Sequence, residues 1–260
     1  MKKLKPKYKS IFVVTGIVIY MLFALSFSKH KAYEQRCTKV NVEILDSTEN
    51  MFVSAKDIDK IIAQNELNVI GYPVKEINSL VIEEEIEKHP SIETVHVYGN
   101  VKGSINVRVE QRNPILRILS NEGNNYYIDD KGKLMPLSDN YTSRVLVVTG
   151  DIDRNYKDFK NQDYSSEKSD SLLHQIFVLS SLIKADKYWA AMCDQITVNK
   201  AQELVLIPKI GAKRILFGNG QDYPKYLKTL TTFYKEVLPV VGWGKYKSID
   251  LQYNQQIVCK

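Results

Sequence analysis

The chain has 260 residues, of which 44% are hydrophobic and 25% are charged, and this balance argues against both a disordered chain and a coiled coil. The formal net charge is +6, but five of the lysines lie within the first ten residues, and without them the chain is close to neutral. Because the remainder also lacks arginine-rich runs, aromatic RNA-binding motifs and zinc-finger spacings, the sequence argues against a nucleic-acid-binding protein.

The first element predicted along the chain is a transmembrane helix over 11–28. The 17 residues from Ile11 to Phe27 carry no charge, and as a helix they would extend roughly 26 Å, slightly less than a hydrocarbon core of about 30 Å. Residues 1–10 carry only positive charges, so the positive-inside rule places this tail in the cytoplasm. The prediction is a single-pass protein of the inner (cytoplasmic) membrane, with its bulk on the periplasmic, extracytoplasmic side.

Two other interpretations of this segment remain open. Ala24 to Ser26 loosely resembles the small-residue site at which a signal peptide is cleaved. A lipoprotein anchor at Cys37 fits less well, because Glu34 to Arg36 stand where small and apolar residues would be needed.

Residues 38–111 are predicted to form one domain with the order strand, helix, helix, strand, strand. Ser54 and Asp57 approximate a capping box, which predicts the start of the first helix. Pro90 disfavours a helical conformation of the residue before it, so the second helix should end at His89.

The strands of this domain are predicted from apolar alternation. They cover Val40 to Ile44, Ile92 to Tyr98 and Ser104 to Gln111. In the last strand Ile105, Val107 and Val109 should face inward. Directly after a membrane anchor, this β-α-α-β-β order resembles the POTRA domain, a module that binds protein segments by strand pairing.

From residue 112 to residue 260, short strands separated by turns and two longer helices predict a mixed β domain with covering helices. The candidate strands are Pro114 to Leu119, Tyr126 to Ile128, Val145 to Thr149, Ile196 to Val198, Leu204 to Ile207 and Ile215 to Phe217. The helices are predicted at about Asp170 to Ala185 and at about Tyr223 to Leu238, the second stopped by Pro239. The polar stretch 151–169 is predicted to be a loop. The fold class of the chain is therefore α+β.

The second domain carries several distinctive short runs. They are Arg112-Asn113-Pro114 followed by Arg117, Tyr126 to Asp129 with Gly132, Leu134 to Leu137, Val145 to Gly150, and Gly242 to Tyr253. In this order they resemble the β domain of the bacterial FtsQ/DivIB cell-division family. In that family a strand with the pattern Ile/Val-Asp-Leu-Arg-Tyr closes the domain, and Ile249 to Tyr253 matches it with Gln252 in place of the arginine.

The resemblance extends over essentially the whole chain, from the basic tail to the closing strand. It implies a divisome scaffold that joins FtsB- and FtsL-type proteins to septal peptidoglycan synthesis, without a cofactor. The POTRA domain would be associated with recruitment to the division septum, and the membrane helix and POTRA domain would contact other divisome proteins. The last strand of the β domain would have an open edge that binds the FtsB-type partner by strand addition. Carried over position by position, the partner-binding residues are Tyr253, Gln255, Gln256 and Ile257.

The sequence offers no candidate catalytic site. Its four histidines, each expected in a structural or solvated role, are His30, His89, His96 and His174. Asp151 to Asn155 begins like an EF-hand calcium loop, but Tyr156 and Gln162 occupy positions that require glycine and glutamate. Asp129 and Asp130 fit a β-hairpin turn better than a pair of catalytic carboxylates.

The cysteines predict neither a metal site nor a disulfide framework, because the three of them lack metal-binding spacings. A single bridge between Cys193 and Cys259 is conceivable outside the cytoplasm. Two small buried thiols in strands are the favoured interpretation.

Two other functions remain open. A POTRA-containing component of protein export or outer-membrane assembly would share the first domain, although such proteins usually carry further POTRA repeats or a large membrane barrel. A membrane-tethered hydrolase is the third hypothesis, and labelling by a reactive-serine probe would favour it.

Overall fold

The computed structural model describes residues 14–24, 35–45, 50–65, 67, 69–100, 102–167, 170–218, 222–253 and 256–260. Helix α1 occupies 14–24, within the predicted transmembrane helix. The tail 1–10 and the remaining parts of that predicted helix, 11–13 and 25–28, lie outside the described residues. Among the described ranges, no helix combines the length and the apolar character that a membrane crossing needs.

Contacts divide the chain into two compact units, Met1–Glu49 with Val53–Gln111, and Asn50–Phe52 with Arg112–Lys260. The elements of the first unit are β1 (Lys39–Ile44), α2 (Ala55–Gln64), a 3-10 turn (Val74–Glu76), α3 (Ser79–Glu87), β2 (Ile92–Gly99) and β3 (Ser104–Gln111). Strand β3 lies in the middle of the sheet, parallel to β1 and antiparallel to β2. This confirms the predicted order of strand, helix, helix, strand, strand.

Helix α2 begins at the predicted capping box. The Asp57 carboxylate accepts hydrogen bonds from the hydroxyl of Ser54 (2.7 Å) and from its backbone N–H (3.0 Å), and these bonds lower the pKa of Asp57. The apolar sides of α2 and α3 are buried at Ile58, Ile62, Ile82 and Ile86, and the inward side of β3 is buried at Ile105, Val107 and Val109. The core of this unit therefore lies between the two helices and one face of the sheet.

The second unit is built on a nine-stranded mixed sheet. Its strands are β4 (Pro114–Ser120), β5 (Asn125–Asp129), β6 (Leu134–Met135), β7 (Leu146–Gly150), β8 (Cys193–Val198), β9 (Leu204–Pro208), β10 (Arg214–Gly218), β11 (Ser248–Asp250) and β12 (Val258–Cys259). Their order across the sheet is β12-β11-β10-β9-β8-β7-β4-β5-β6. The pairs β4/β7, β7/β8 and β10/β11 are parallel, and the other neighbours are antiparallel.

The helices of the second unit are α4 (Tyr156–Phe159), α5 (Ser171–Ala185), α6 (Lys187–Met192), α7 (Tyr223–Thr232) and α8 (Leu238–Val241), with a π-helical turn at Phe233–Val237 between α7 and α8. Helix α5 begins as predicted, because the Asp170 carboxylate accepts the N–H groups of Leu172 and Leu173, each at 3.1 Å. Its apolar side belongs to one continuous core that also contains residues of β4, β7, β8, β9, β10 and β11. The predicted combination of a mixed sheet and covering helices is confirmed.

Two predictions for this unit are wrong. The stretch 151–169 is not a plain loop, since it contains α4 and the fully buried Tyr164, whose hydroxyl donates to the Phe159 carbonyl (2.8 Å). Pro239 does not stop the second long helix. Helical residues continue from α7 through the π-helical turn to Val241, and Pro239 stands in the first turn of α8, directly after that π-helical turn. Gly242, with φ of +98°, follows that helix.

Candidate functional site

The candidate site is the end of the nine-stranded sheet at β11 and β12. Strand β11 pairs with β10 in parallel and with β12 antiparallel. The side chains of Ile249 and Leu251 are 0% and 2% exposed, so these two residues anchor the motif from Ile249 to Tyr253 in the core. The Leu251 N–H extends this attachment by donating to the Leu216 carbonyl of β10 (3.0 Å).

The chain leaves β11 through a turn directly after Asp250. The Asp250 carboxylate accepts a hydrogen bond from the N–H of Gln252 (3.0 Å), a local bond that competes with continued strand pairing. The Gln252 side chain then donates to the Glu203 carboxylate (3.2 Å), and the Tyr253 carbonyl accepts the N–H of Gln256 (3.2 Å). The main chain therefore turns back towards the sheet, where residues 258 and 259 form β12.

This geometry corrects the expectation that the strand carrying the motif is an open edge. Strand β11 is paired on both sides, and its outer side is covered by the chain's own β12. The edge strand at this end of the sheet is β12, among the residues that the structure describes. A strand at Cys259 was predicted, but its return to pair with β11 was not, although the apolar Ile257-Val258-Cys259 after a polar turn could have indicated a short returning strand.

The structure describes three of the four predicted partner-binding residues, and their surroundings differ. Tyr253 is 55% exposed, in the turn rather than in a strand. Gln256 is exposed, whereas Ile257 is partly buried and packs against the core. Gln255 lies outside the described residues.

The ladder between β11 and β12 determines which backbone groups of β12 face outward. Ser248 and Lys260 exchange two hydrogen bonds, each 3.0 Å from nitrogen to oxygen. Because antiparallel pairs alternate between bonded and non-bonded positions, the N–H and C=O of the preceding residue, Cys259, point away from β11. A strand added at this edge would bond to these groups.

The cysteines do not form the Cys193–Cys259 bridge that the sequence left open. Cys37, Cys193 and Cys259 are all free. Cys193 is on β8 and Cys259 on β12, four strand positions apart, which corresponds to roughly 19 Å at the usual spacing between strands. A disulfide requires Cα atoms within about 7 Å of each other, so this pair cannot be bridged in the folded sheet.

The histidines of the described part of the chain show no arrangement typical of a catalytic base. His96 is exposed on β2, as expected. A ring nitrogen of His174, Nδ1, lies 2.9 Å from the Tyr164 carbonyl, and Nδ1 of His89 accepts the N–H of Ser91 at 3.3 Å. Within the described ranges no three His, Cys, Asp or Glu side chains are grouped as a metal site would require. An edge strand such as β12 has the geometry to pair with a strand of another polypeptide.

Two family models match the sequence. One, described as FtsQ/DivIB, C-terminal related, matches residues 113–260, which is more than half of the chain. The other, described as a POTRA-like domain, matches residues 35–110. No curated protein matches the sequence. The first match contains the whole of the sheet that ends at β12. The second covers the three-stranded sheet of the first unit except for Gln111, the last residue of β3.

Proposed function

The chain belongs to the FtsQ/DivIB family, and from this premise we propose that it is a divisome scaffold that binds FtsB- and FtsL-type division proteins and links them to septal peptidoglycan synthesis. Its two matched domains are of non-enzymatic scaffold families, and together they make it a division-related POTRA protein. The proposed location is the inner membrane at the septum, with residues 1–10 in the cytoplasm, 11–28 as the anchor, and the domains 38–111 and 112–260 outside.

The proposed mode of partner binding is strand addition at β12. The observation that carries it is the outward direction of the Cys259 backbone groups at the end of the sheet. An unpaired backbone donor and acceptor on an edge strand can bond to an incoming strand, while neighbouring side chains select its sequence. Tyr253, Gln255, Gln256 and Ile257 are the proposed selecting residues, and the exposed ring of Tyr253 is suited to this role.

The proposed site predicts the effect of Tyr253→Ala. Aromatic side chains at the centre of an interface contribute about 2 kcal/mol or more, so the variant should weaken capture of the FtsB-type partner by roughly 30-fold. Because Tyr253 is 55% exposed, its loss should change the unfolding free energy of the chain by less than about 0.5 kcal/mol. Co-purification of the partner with tagged full-length chain and denaturant unfolding measure the two effects.

The matched control is Tyr72→Ala, which removes a similarly exposed tyrosine, 49% exposed, from the first unit. It should leave partner capture unchanged. Equal capture by the parent chain and by Tyr253→Ala would show that this turn is not the binding site.

Depletion of the protein in cells tests the function itself. Filamentous, unseparated cells are the expected result for a division scaffold. Loss of outer-membrane proteins without a division defect would contradict the proposal and indicate a transport role.

A further inference from the structure

One end of the three-stranded sheet of the first unit follows closely on the proposed membrane anchor. Only six residues, 29–34, separate the anchor from residue 35, so residue 35 lies within about 25 Å of the end of the anchor. Strand β1 begins at Lys39, and because β3 is parallel to β1 and antiparallel to β2, β3 begins and β2 ends at the same end of the sheet. This end, which contains Lys39, Gly99 and Ser104, is called the entry end.

The segment 70–74 is attached to the chain where it reaches the entry end. The N–H of Cys37 donates to the Tyr72 carbonyl (2.8 Å), and the N–H of Gly71 donates to the Cys37 carbonyl (2.7 Å). The Arg36 guanidinium also donates to the Gly71 carbonyl (2.8 Å). Segment 70–74 therefore lies beside the stretch of chain that comes from the anchor.

The turn between β2 and β3 and the start of α3 lie at the same end. The N–H of Thr38 donates to the Gly103 carbonyl in that turn (2.9 Å). Only four residues connect α3 to β2, and the Glu83 carboxylate accepts the N–H of Val97 (2.6 Å). Helix α3 therefore runs antiparallel to β2, and its first turn lies towards the entry end.

Large apolar side chains are exposed at the entry end. Ile70 is 59% exposed, Tyr72 is 49% exposed and Leu80 is 67% exposed. Single exposed apolar residues are common on protein surfaces, but these three lie in two neighbouring segments, on either side of the 3-10 turn Val74–Glu76. A tyrosine beside aliphatic residues is typical of a surface that meets lipid headgroups.

The charges at the entry end favour an anionic surface. The segments 35–39, 69–75 and 99–104 contain four cationic residues and no aspartate or glutamate, and the acidic Glu34 and Glu76 stand directly outside them. The four cationic residues, all exposed, are Arg36, Lys39, Lys75 and Lys102. Long cationic side chains can reach phosphate groups while their aliphatic stems contact apolar surface.

We propose that the entry end of the first unit docks on the membrane that holds the anchor, at anionic phospholipid headgroups. Ile70, Tyr72 and Leu80 enter the headgroup region, and the exposed cations bind the phosphates. A lipid surface fits better than a protein partner, because the short connection to the anchor keeps the membrane close to this end at all times. This inference rests on the proposed anchor and is separate from partner binding at β12.

The test is quenching of a fluorescent label by spin-labelled lipid, in the full-length chain reconstituted into nanodiscs of phosphatidylcholine and phosphatidylglycerol. Ile70→Cys carries the label at the entry end. The matched control is a label on Leu45→Cys, which is 56% exposed and follows β1 at the opposite end of the sheet. Quenching should be at least about 3-fold stronger at residue 70, since docking would insert it about 5–10 Å into the headgroup boundary. The parent chain, treated in the same way, gives the background from the native cysteines.

Charge variants test the electrostatic contribution. Lys75→Gln combined with Lys102→Gln should lower the ratio of docked to undocked chains about 10-fold or more, because both lysines lose their attraction to the anionic surface. Quenching at residue 70 should then fall towards that at residue 45.

The matched control for these variants is Lys56→Gln combined with Lys88→Gln, which should have no effect. Lys88 directly follows α3, at the opposite end of that helix from Leu80. Lys56 lies in the first turn of α2, close in sequence to Val53, whose N–H donates to the side chain of Gln111 at the end of β3 (2.8 Å). Both lysines are thus placed away from the entry end.

The outcomes distinguish docking from anchoring. Elution of the chain together with the nanodiscs reports the anchor, and separate elution would overturn the anchor and the docking with it. With the anchor in place, equal quenching at residues 70 and 45 would overturn the docking alone and leave this surface to a protein partner. Equal effects of the two double variants, or unchanged quenching in nanodiscs of phosphatidylcholine alone, would overturn the assignment to anionic headgroups.

Discussion

Asp129 is a carboxylate with a fully buried side chain at the end of β5. Its oxygens accept hydrogen bonds from the Arg112 guanidinium (2.9 Å) and from the N–H groups of Lys131 (3.0 Å) and Lys133 (2.7 Å). The turn that it organises connects β5 to β6, which confirms the hairpin predicted from Asp129 and Asp130. One side chain thus determines both the turn and the position of an arginine.

Replacement of Asp129 by asparagine should therefore destabilise the chain markedly. The variant leaves the Arg112 cation partly buried without its anion, and breaking such a pair costs about 3 kcal/mol or more. Denaturant unfolding of the full chain measures the change. Asp130→Asn, at the exposed neighbour, should change the unfolding free energy by less than about 0.5 kcal/mol. A similar decrease of the unfolding free energy in the two variants would show that the buried ion pair between Arg112 and Asp129 contributes no more to stability than an exposed carboxylate.

His89 predicts a pH dependence in the first unit. Burial lowers the pKa of His89, and the Asp57 carboxylate opposes this only in part. The unfolded chain binds a proton near pH 6.5, whereas the folded chain does so only at lower pH. The contribution of His89 to the free energy of unfolding should therefore be fully present above about pH 6.5. It should be lost as the pH falls from there through the folded pKa.

The measurement is the unfolding midpoint of the full chain between pH 7.5 and pH 5, values chosen to bracket the unfolded pKa of about 6.5. His89→Gln should reduce the slope over this interval, since it removes the titrating ring. His96→Gln, at an exposed ring on β2, should leave the slope as in the parent chain. If His89→Gln left the slope unchanged, the pH dependence of the unfolding midpoint would come from groups other than His89.

At the scale of elements, Gly150 determines how closely β7 approaches β8. Its φ is +109°, and a Cβ at this position would collide with the carbonyl oxygen of Val198, the residue opposite it on β8. Only glycine combines this backbone conformation with that approach. The end of β7 can therefore pair with β8 and with Ser120 of β4 at the same time.

Gly150→Ala should destabilise the second unit by about 3 kcal/mol or more, because backbone strain and a main-chain collision add together. Gly123→Ala separates the two causes: φ there is +83°, but nothing lies within 4 Å of the added Cβ. That variant should lose only about 1 kcal/mol. Thermal unfolding of both variants gives the comparison, and equal losses would rule out the collision as the main cause.

The elements that could be predicted from the sequence are those with a local signal. The capping box at Ser54, the alternation within β3, and the Asp170 cap of α5 each depend on residues within one element. Helix α6 was missed because it is short, at Lys187–Met192, and follows α5 after a single residue, Asp186, which caps it. The π-helical turn at Phe233–Val237 has no recognisable sequence signal.

The candidate site was predictable only in part, for a physical reason. The motif from Ile249 to Tyr253 indicated the end of the sheet at which the candidate site lies. It could not reveal that β11 lies between β10 and β12, because strand order depends on contacts between distant parts of the chain rather than on local periodicity. The turn at Asp250 depends on one side-chain hydrogen bond, which an apolar pattern does not encode.

For the whole molecule, the proposed topology predicts which positions a membrane-impermeant maleimide can reach in intact cells. Glu122→Cys places a thiol at an exposed turn of the second unit and should be labelled. Lys5→Cys, in the basic tail, should be labelled only after the cells are permeabilised. Equal labelling of both in intact cells would contradict a cytoplasmic N-terminus.

The native cysteines should contribute little background to this assay. Cys37 and Cys193 are 1% and 6% exposed, and Cys259 is partly buried. Burial also raises the pKa values of Cys193, to about 12, and of Cys259, so the reactive thiolate is scarce at neutral pH. Labelling of the parent chain gives the baseline to subtract.

The aromatic cluster around Tyr234 makes the second unit visible by its own fluorescence. The chain has two tryptophans, Trp189 and Trp243, and their rings lie 5.1 Å and 5.9 Å from that of Tyr234. Trp189 is fully buried and Trp243 is 37% exposed. Since both belong to the second unit, tryptophan emission follows that unit alone while circular dichroism follows both. Melting curves from the two signals, recorded on one sample, would reveal whether the two halves of the protein unfold together or in succession.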